Sequence, residues 1–189
     1  VSAGVSELTT LIELARRGDR PAVDRLYELL YGELRGIAHA KLRRSEGLTL
    51  LDTTGLVHES YLRLVHAGQL QITDRPHFLA YAARAMRSIV VDFARRQQAL
   101  RRGGDHVQMT LDTAAANAAG SDDTEVEVLR VHEALDELAA IDERLVKVVE
   151  MRYFAGLDAK EIADSLNVSS RTVERDWEKA RMYLFTFLK

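Results

Sequence analysis

The chain has 189 residues, of which 47% are hydrophobic, with no cysteine, two prolines and eleven glycines. That is enough for one core of ordinary size or two small ones, and it excludes a disulfide framework and any thiolate metal site. No apolar run reaches membrane-spanning length, and Glu7, Glu13 and Asp19 interrupt any basic-then-apolar leader, so a largely helical protein of the cytoplasm is expected.

A net charge of −3 hides a strong segregation along the chain. Residues 1–104 hold 16 basic against 11 acidic side chains, residues 105–164 hold 5 against 15, and residues 165–189 return to 5 against 3. Within the first part, Arg84, Arg87, Arg95, Arg96, Arg101 and Arg102 face only Asp92 in opposition. Such a stripe on a helix can track a phosphate backbone.

Residues 6–98 alternate apolar helical stripes with breaks at Gly18-Asp19-Arg20-Pro21, at Ser45-Glu46-Gly47 and from Gly68 to Pro76. Pro21 suits the first turn of a helix, where its missing N–H costs nothing. Leu26, Leu29, Leu30, Leu34, Ile37 and Ala38 recur at spacings of three and four. A second stripe runs through Leu56, Tyr61, Leu62, Leu64 and Val65, and a third through Phe78, Ala82, Ala85, Ile89 and Phe93. Three or four packed helices are expected.

Residues 103–124 lack an apolar period and are rich in Gly, Ala, Asp, Thr and Asn, the composition of a flexible linker. Helical periodicity resumes at Glu125 with Val128, Val131, Leu135 and Leu138, and again with Leu145, Val148, Val149, Met151 and Tyr153. The expected fold is therefore all-α: two small helical domains, 1–102 and 125–189, joined by the linker 103–124.

The last thirty residues read as two short helices joined by a tight turn. Asp158 caps the first, Glu161 completes a capping box, and Ile162 and Leu166 share a face. Asn167 tolerates the left-handed conformation of a helix end, and Ser169 caps the second helix. There Val173, Trp177, Ala180 and Leu184 form the buried stripe, while Ala163 is small enough for a close crossing. The outward set is Ser170, Arg171, Thr172, Glu174, Arg175, Lys179 and Arg181, which mixes phosphate-binding cations with groups that read base edges. This is the pattern of a helix-turn-helix with a recognition helix for the major groove.

Three segments together resemble a bacterial RNA polymerase sigma factor of the extracytoplasmic-function (ECF) class, built from the second and fourth sigma regions alone. Asp52-Thr-Thr-Gly-Leu-Val-His-Glu-Ser-Tyr-Leu-Arg-Leu64 is similar to the helix these factors place against the polymerase clamp. Phe78 to Arg96 is similar to the helix that engages the −10 promoter element. The block from Met151-Arg-Tyr-Phe-Ala-Gly-Leu through the helix-turn-helix to Trp177, Ala180-Arg181 and Leu184 is similar to the reader of the −35 element. The resemblance implies a factor without a catalytic centre or cofactor, whose partners are core RNA polymerase and promoter DNA. At the −35 element it implies Ser169, Ser170, Arg171, Thr172, Glu174, Arg175, Lys179 and Arg181, with Arg171 and Arg175 foremost. For the melted −10 strand it implies a cationic and aromatic surface of His77, Phe78, Tyr81, Arg84, Arg87, Ser88, Arg95 and Arg96, with the loop Gln69 to His77 catching a flipped base. For polymerase it implies Asp52, Leu56, Val57, Glu59, Leu62 and Arg63. Core membership is at least an equal reading for Phe78 and an alternative for Tyr81, Leu56, Val57 and Leu62.

The chain departs from that family pattern where consecutive acidic residues usually precede the clamp-helix Leu-Val. It has Thr53, Thr54 and Gly55 there. Phosphorylation of Thr53 or Thr54 would add about −1.5 to −2 of charge at that point and so regulate polymerase binding through a Ser/Thr kinase. The simpler alternative is that one of these threonines caps the helix. An anti-sigma factor is a further possible partner.

Other chemistries fit poorly. His58-Glu59-Ser60-Tyr61-Leu62 begins like a zinc-protease motif, but Leu62 stands where the second histidine is required, so no metal is expected. A helix-turn-helix regulator that binds its operator without polymerase remains the alternative function; a phospho-acceptor receiver is disfavoured by the helical periodicity of the first 100 residues, and a purely helical adaptor leaves the positive recognition helix unexplained. The linker permits the two helical blocks to stand apart or to pack together with their DNA-binding faces covered.

Overall fold

The computed structural model describes residues 2–43, 52–67, 71–101 and 122–189, and these are all helical or in short connections, with no strand among them. Five helices precede the predicted linker: α1 (Ser2–Arg16), α2 (Arg20–Leu29), α3 (Tyr31–Arg43), α4 (Thr53–Ala67) and α5 (Arg75–Arg101). After it come α6 (Asp122–Ile141) and α7 (Glu143–Val149), a π turn (Glu150–Phe154), α8 (Ala159–Leu166) and α9 (Ser170–Leu188). The predicted break at Ser45–Gly47, residues 68–70 of the next break and residues 103–121 of the linker lie outside the described residues. Helix α6 begins three residues earlier than periodicity suggested.

Five helices rather than three or four arise before the linker because one apolar stripe is two helices. Asp19 accepts the Ala22 N–H at 2.8 Å and Pro21 occupies the first turn of α2, as expected. That helix ends at Leu30, whose backbone leaves the helical region, and α3 starts at the next residue. Leu29 lies at the uncovered edge of α2, while Leu26, Leu30 and Leu34 are buried.

The core of the first five helices is built on α5. Phe78, Leu79 and Met86 of that helix meet Leu26, Leu34, Leu56, Leu64 and Ile72, all nearly inaccessible. Tyr27 packs edge-on against Tyr61 and Phe78, with ring centroids 5.2 and 5.6 Å apart. Its hydroxyl is 3.2 Å from the buried Ser60 hydroxyl, which donates to the Val57 carbonyl at 2.8 Å. The polar atoms in this core are thereby paired rather than stranded.

Asp52, not a threonine, caps α4: its carboxylate accepts the Gly55 N–H at 2.7 Å. The carboxylate just upstream satisfies an orphan donor of the first turn, so Thr53 and Thr54 begin the helix proper.

The core continues past the linker. Val148, Met151, Leu157, Ile162, Ala163 and Val173 join the same buried cluster as the α1–α5 residues, while Leu135, Leu138, Leu145, Val146, Val149 and Ala180 form a second cluster among α6, α7 and α9. The π turn decides which residues face which cluster. Ala155 donates to the Glu150 carbonyl at 2.9 Å, one residue wider than an α turn, and this slips the register beyond Glu150 so that Tyr153 faces outward, while Glu150 keeps the phase of α7 and faces inward. Periodicity at 3.6 residues had placed Tyr153 on the buried stripe.

Truncating Leu64, which is fully buried, is expected to cost about 2–5 kcal/mol as Leu64→Ala. Chemical denaturation followed by circular dichroism checks it, an effect below about 1 kcal/mol contradicting the core described.

Candidate nucleic-acid interface

The helix-turn-helix is assembled by local chemistry. Asp158 accepts the Lys160 and Glu161 N–H groups, both at 2.8 Å, while Glu161 accepts the Asp158 N–H at 3.0 Å, a complete capping box. Asn167 takes φ 53° and ψ 48° at the end of α8, the left-handed cap that Asn permits, and Val168 donates back to the Ala163 carbonyl at 3.0 Å. Ser169 then accepts the Thr172 N–H at 3.1 Å and starts α9. Val173 and Ala180 are buried as expected, with Trp177 and Leu184 partly covered.

The opposite face of α9 is open. Ser169, Ser170, Arg171, Glu174, Arg175, Lys179 and Arg181 are exposed, and Thr172 is half-buried with its hydroxyl 2.9 Å from that of Ser169. Two partners alter this set. Arg152 from the π turn donates to Glu174 at 2.8 Å and lies over the Trp177 ring, 5.1 Å from its centroid. Arg181 pairs with Glu178 at 3.3 Å.

Asp176 was missed by sequence reasoning. It is 1% exposed, within the recognition helix but facing α7, and its carboxylate accepts from Arg144 Nε at 2.7 Å. Hydrogen bonding and charge from Asp176 raise the Arg144 pKa further. Its place beside the outward Arg175 gave no hint of it, because a charge on the inner edge of a helix requires a partner that sequence spacing does not reveal.

The face predicted for the melted strand is more heavily engaged. Phe78 is fully buried beneath Tyr27, so it belongs to the core and offers no ring for a base; Leu56 and Val57, predicted for polymerase, are likewise core residues at 0% and 1% exposure. In each case the apolar side chain falls on the inner stripe of its helix, where burial is favoured. Tyr81 is half-buried; Ser88, Arg95 and Arg96 are exposed. Asp52, Glu59 and Leu62 lie on the outside of α4, with Leu62 45% exposed, and together they form the accessible part of the predicted polymerase set. Arg63 is turned toward α5, donating to Asp92 at 2.6 Å and to Ser88 at 2.7 Å.

The remaining basic members of the α5 set face the C-terminal segment. Glu150 receives Arg84 at 2.6 to 3.1 Å through two guanidinium nitrogens, and Arg87 at 3.4 Å. Arg87 also meets His132 Nδ1 at 2.8 Å. Burial pushes the His132 pKa down, Arg87 and Arg95 add to this, and Asp136 opposes it. At the start of α5, Ser165 donates to Asp74 at 3.0 Å and its hydroxyl lies 3.1 Å from His77 Nδ1. Burial disfavours the Asp74 carboxylate, but hydrogen bonds from His77 and Ser165 outweigh it and hold the pKa below its ordinary value. Arg75 bridges Glu33 of α3 and Glu161 of α8, the latter at 3.0 Å.

Arg144→Ala deprives the buried Asp176 carboxylate of its nearest cation and leaves Arg175, 3.7 Å away, as a poorer partner. It is expected to lower the melting temperature more than the double change Arg144→Ala/Asp176→Ala, since removing both partners leaves no unpaired charge. Thermal unfolding of the two variants checks this order.

A family model described as ECF sigma factor matches residues 5–189, nearly the whole chain. No curated protein matches the chain. No solved structure matches it. With an all-helical fold across the described residues, a fully capped helix-turn-helix presenting arginines outward, and a family match from one end to the other, the chain belongs to the ECF sigma factor family and directs promoter-specific transcription initiation with RNA polymerase as a non-enzymatic factor.

Proposed function

We propose that this factor reads the −35 element with α9, engages the −10 element with α5, and assists promoter melting there. The open basic face of α9 carries this reading: Arg171, Arg175 and Lys179 project from a helix whose entry is fixed by a capping box and a left-handed turn. The N-terminal residues of such a helix reach base edges, and the arginines further along reach phosphates. On α5, Arg84, Arg87, Arg95, Arg96 and the half-buried Tyr81 supply the cationic and aromatic groups that a single strand favours. The division into residues 1–102 for polymerase and the −10 element, a linker over 103–124, and residues 125–189 for the −35 element follows from that assignment. The place of action is the cytoplasm, consistent with the absence of any membrane-spanning helix among the described residues.

For polymerase we assign the outer side of α4: Asp52, Glu59 and Leu62. Thr53 and Thr54 occupy the first turn of this helix beside the Asp52 cap, and Thr54 is exposed. A phosphate in a first turn is favoured by the helix dipole and by orphan N–H groups, so a Ser/Thr kinase acting here would raise affinity for a basic polymerase surface. An anti-sigma factor remains a second route of control.

Run-off transcription with purified core polymerase on a genomic promoter library tests the assignment. Discrete start sites that appear only with this protein and share −35 and −10 motifs are expected, and their absence with Thr53→Glu/Thr54→Glu protein as well would refute it. Arg171→Ala and Arg175→Ala should each weaken promoter binding by about 1–3 kcal/mol if they contact bases, measured by gel shift of the polymerase complex. Thr53→Ala/Thr54→Ala should abolish any kinase-dependent gain in core binding. An equal gain in that double variant removes phosphorylation from the account.

A further inference from the structure

Glu150 has 3% of its side chain exposed and, at the junction of α7 and the π turn, turns its carboxylate to α5. A carboxylate is costly to bury unless it is well paired, and its partners here are Arg84 and Arg87. Both arginines belong to the strand-binding set on α5. The neighbouring contacts follow the same pattern. Ser165 takes Asp74 and His77 at the start of α5, Glu161 takes Arg75, and Phe154 lies under Lys41 of α3 at 3.8 Å. All of these C-terminal groups come from one stretch of sixteen residues, 150–165.

The carboxylate of Glu150 presents two anionic oxygens to a pair of arginines, as a backbone phosphate would. We propose that residues 150–165 are an intramolecular competitor for the −10 strand: in the protein without polymerase, Glu150 occupies Arg84 and Arg87 and must leave before single-stranded DNA can bind them. This rests on the assignment of α5 to the −10 element. The occlusion is local, because Arg95, Arg96 and the α9 face of Arg171, Arg175 and Lys179 stay exposed. The closed form therefore withholds strand capture while leaving the duplex-reading helix accessible, and polymerase must supply the opening.

Because the chain contains no cysteine, introduced pairs report on this contact cleanly. Ala40 of α3 and Tyr153 of the π turn line one cleft from its two sides, and both are exposed. Full-length Ala40→Cys/Tyr153→Cys protein joined by a cleavable dithiol cross-linker should lose at least tenfold in run-off transcription with core polymerase and recover when the linker is reduced. In parallel, Glu150→Gln keeps the shape and removes the charge. It should bind a fluorescent single-stranded oligonucleotide, carrying the −10 sequence of a start site mapped with the unmodified protein, at least fivefold more tightly without polymerase. Spin labels on His39→Cys/Lys160→Cys protein should show a longer distance with Glu150→Gln than without it. Full activity of the cross-linked protein, or unchanged oligonucleotide affinity in a folded Glu150→Gln protein, overturns the competitor. If the unmodified protein yields no start sites with polymerase, the sigma assignment itself fails instead, so the two failures are told apart.

Discussion

A carboxylate withdrawn from water must be met by cations, and the arrangement around Glu150 follows from that constraint. Desolvation penalises the charge, and removing the partners of a fully buried pair costs about 3–5 kcal/mol; the value here is lower because the Arg84 side chain is half exposed. To meet it, the π turn lies against α5, and α8, which follows after four residues, is carried to the start of the same helix. The apolar cluster shared by α5, Met151, Leu157 and Ile162 then fills the space between. The ion pairs fix where the C-terminal segment sits, and the hydrophobic contact supplies the area, since non-directional burial alone sets no unique register.

This geometry also accounts for the charge distribution. A factor for DNA with a net charge of −3 is awkward until the acidic stretch after residue 104 is seen to hold the partners of the basic stretch before it. Glu150 and Glu161 answer Arg84, Arg87 and Arg75 across the fold. Glu150 and Glu161 thus neutralise part of α5, while Arg171 and Lys179 of α9 stay exposed with their potential toward a phosphate backbone.

The recognition helix depends on a second buried carboxylate. Asp176 ties α9 to Arg144 at the start of α7, and Arg152 reaches from the π turn to Glu174 and Trp177. A recognition helix supported at its entry by caps and along its flank by ion pairs is held rigidly enough for a few side chains to select bases.

The sequence by itself determined the features that depend on near neighbours. The capping box of Asp158 and Glu161, the left-handed Asn167, the Ser169 cap and the Asp19-Pro21 start of α2 all involve groups within four residues, and local hydrogen bonding and backbone sterics decide them. The helical class and the family were legible for the same reason, being carried by periodicity and contiguous motifs. The tertiary structure alone decided what depends on distant partners or on a shift of helical register. Phe78, Leu56 and Val57 became core residues because of what packs above them, Leu29 stayed outward because nothing covers its edge of α2, Tyr153 turned outward because the π turn broke the 3.6-residue period, and Glu150 and Asp176 turned inward to arginines 66 and 32 positions away. A one-residue slip in helical phase moves a side chain about 100° around the axis, and no local pattern records which side will be covered.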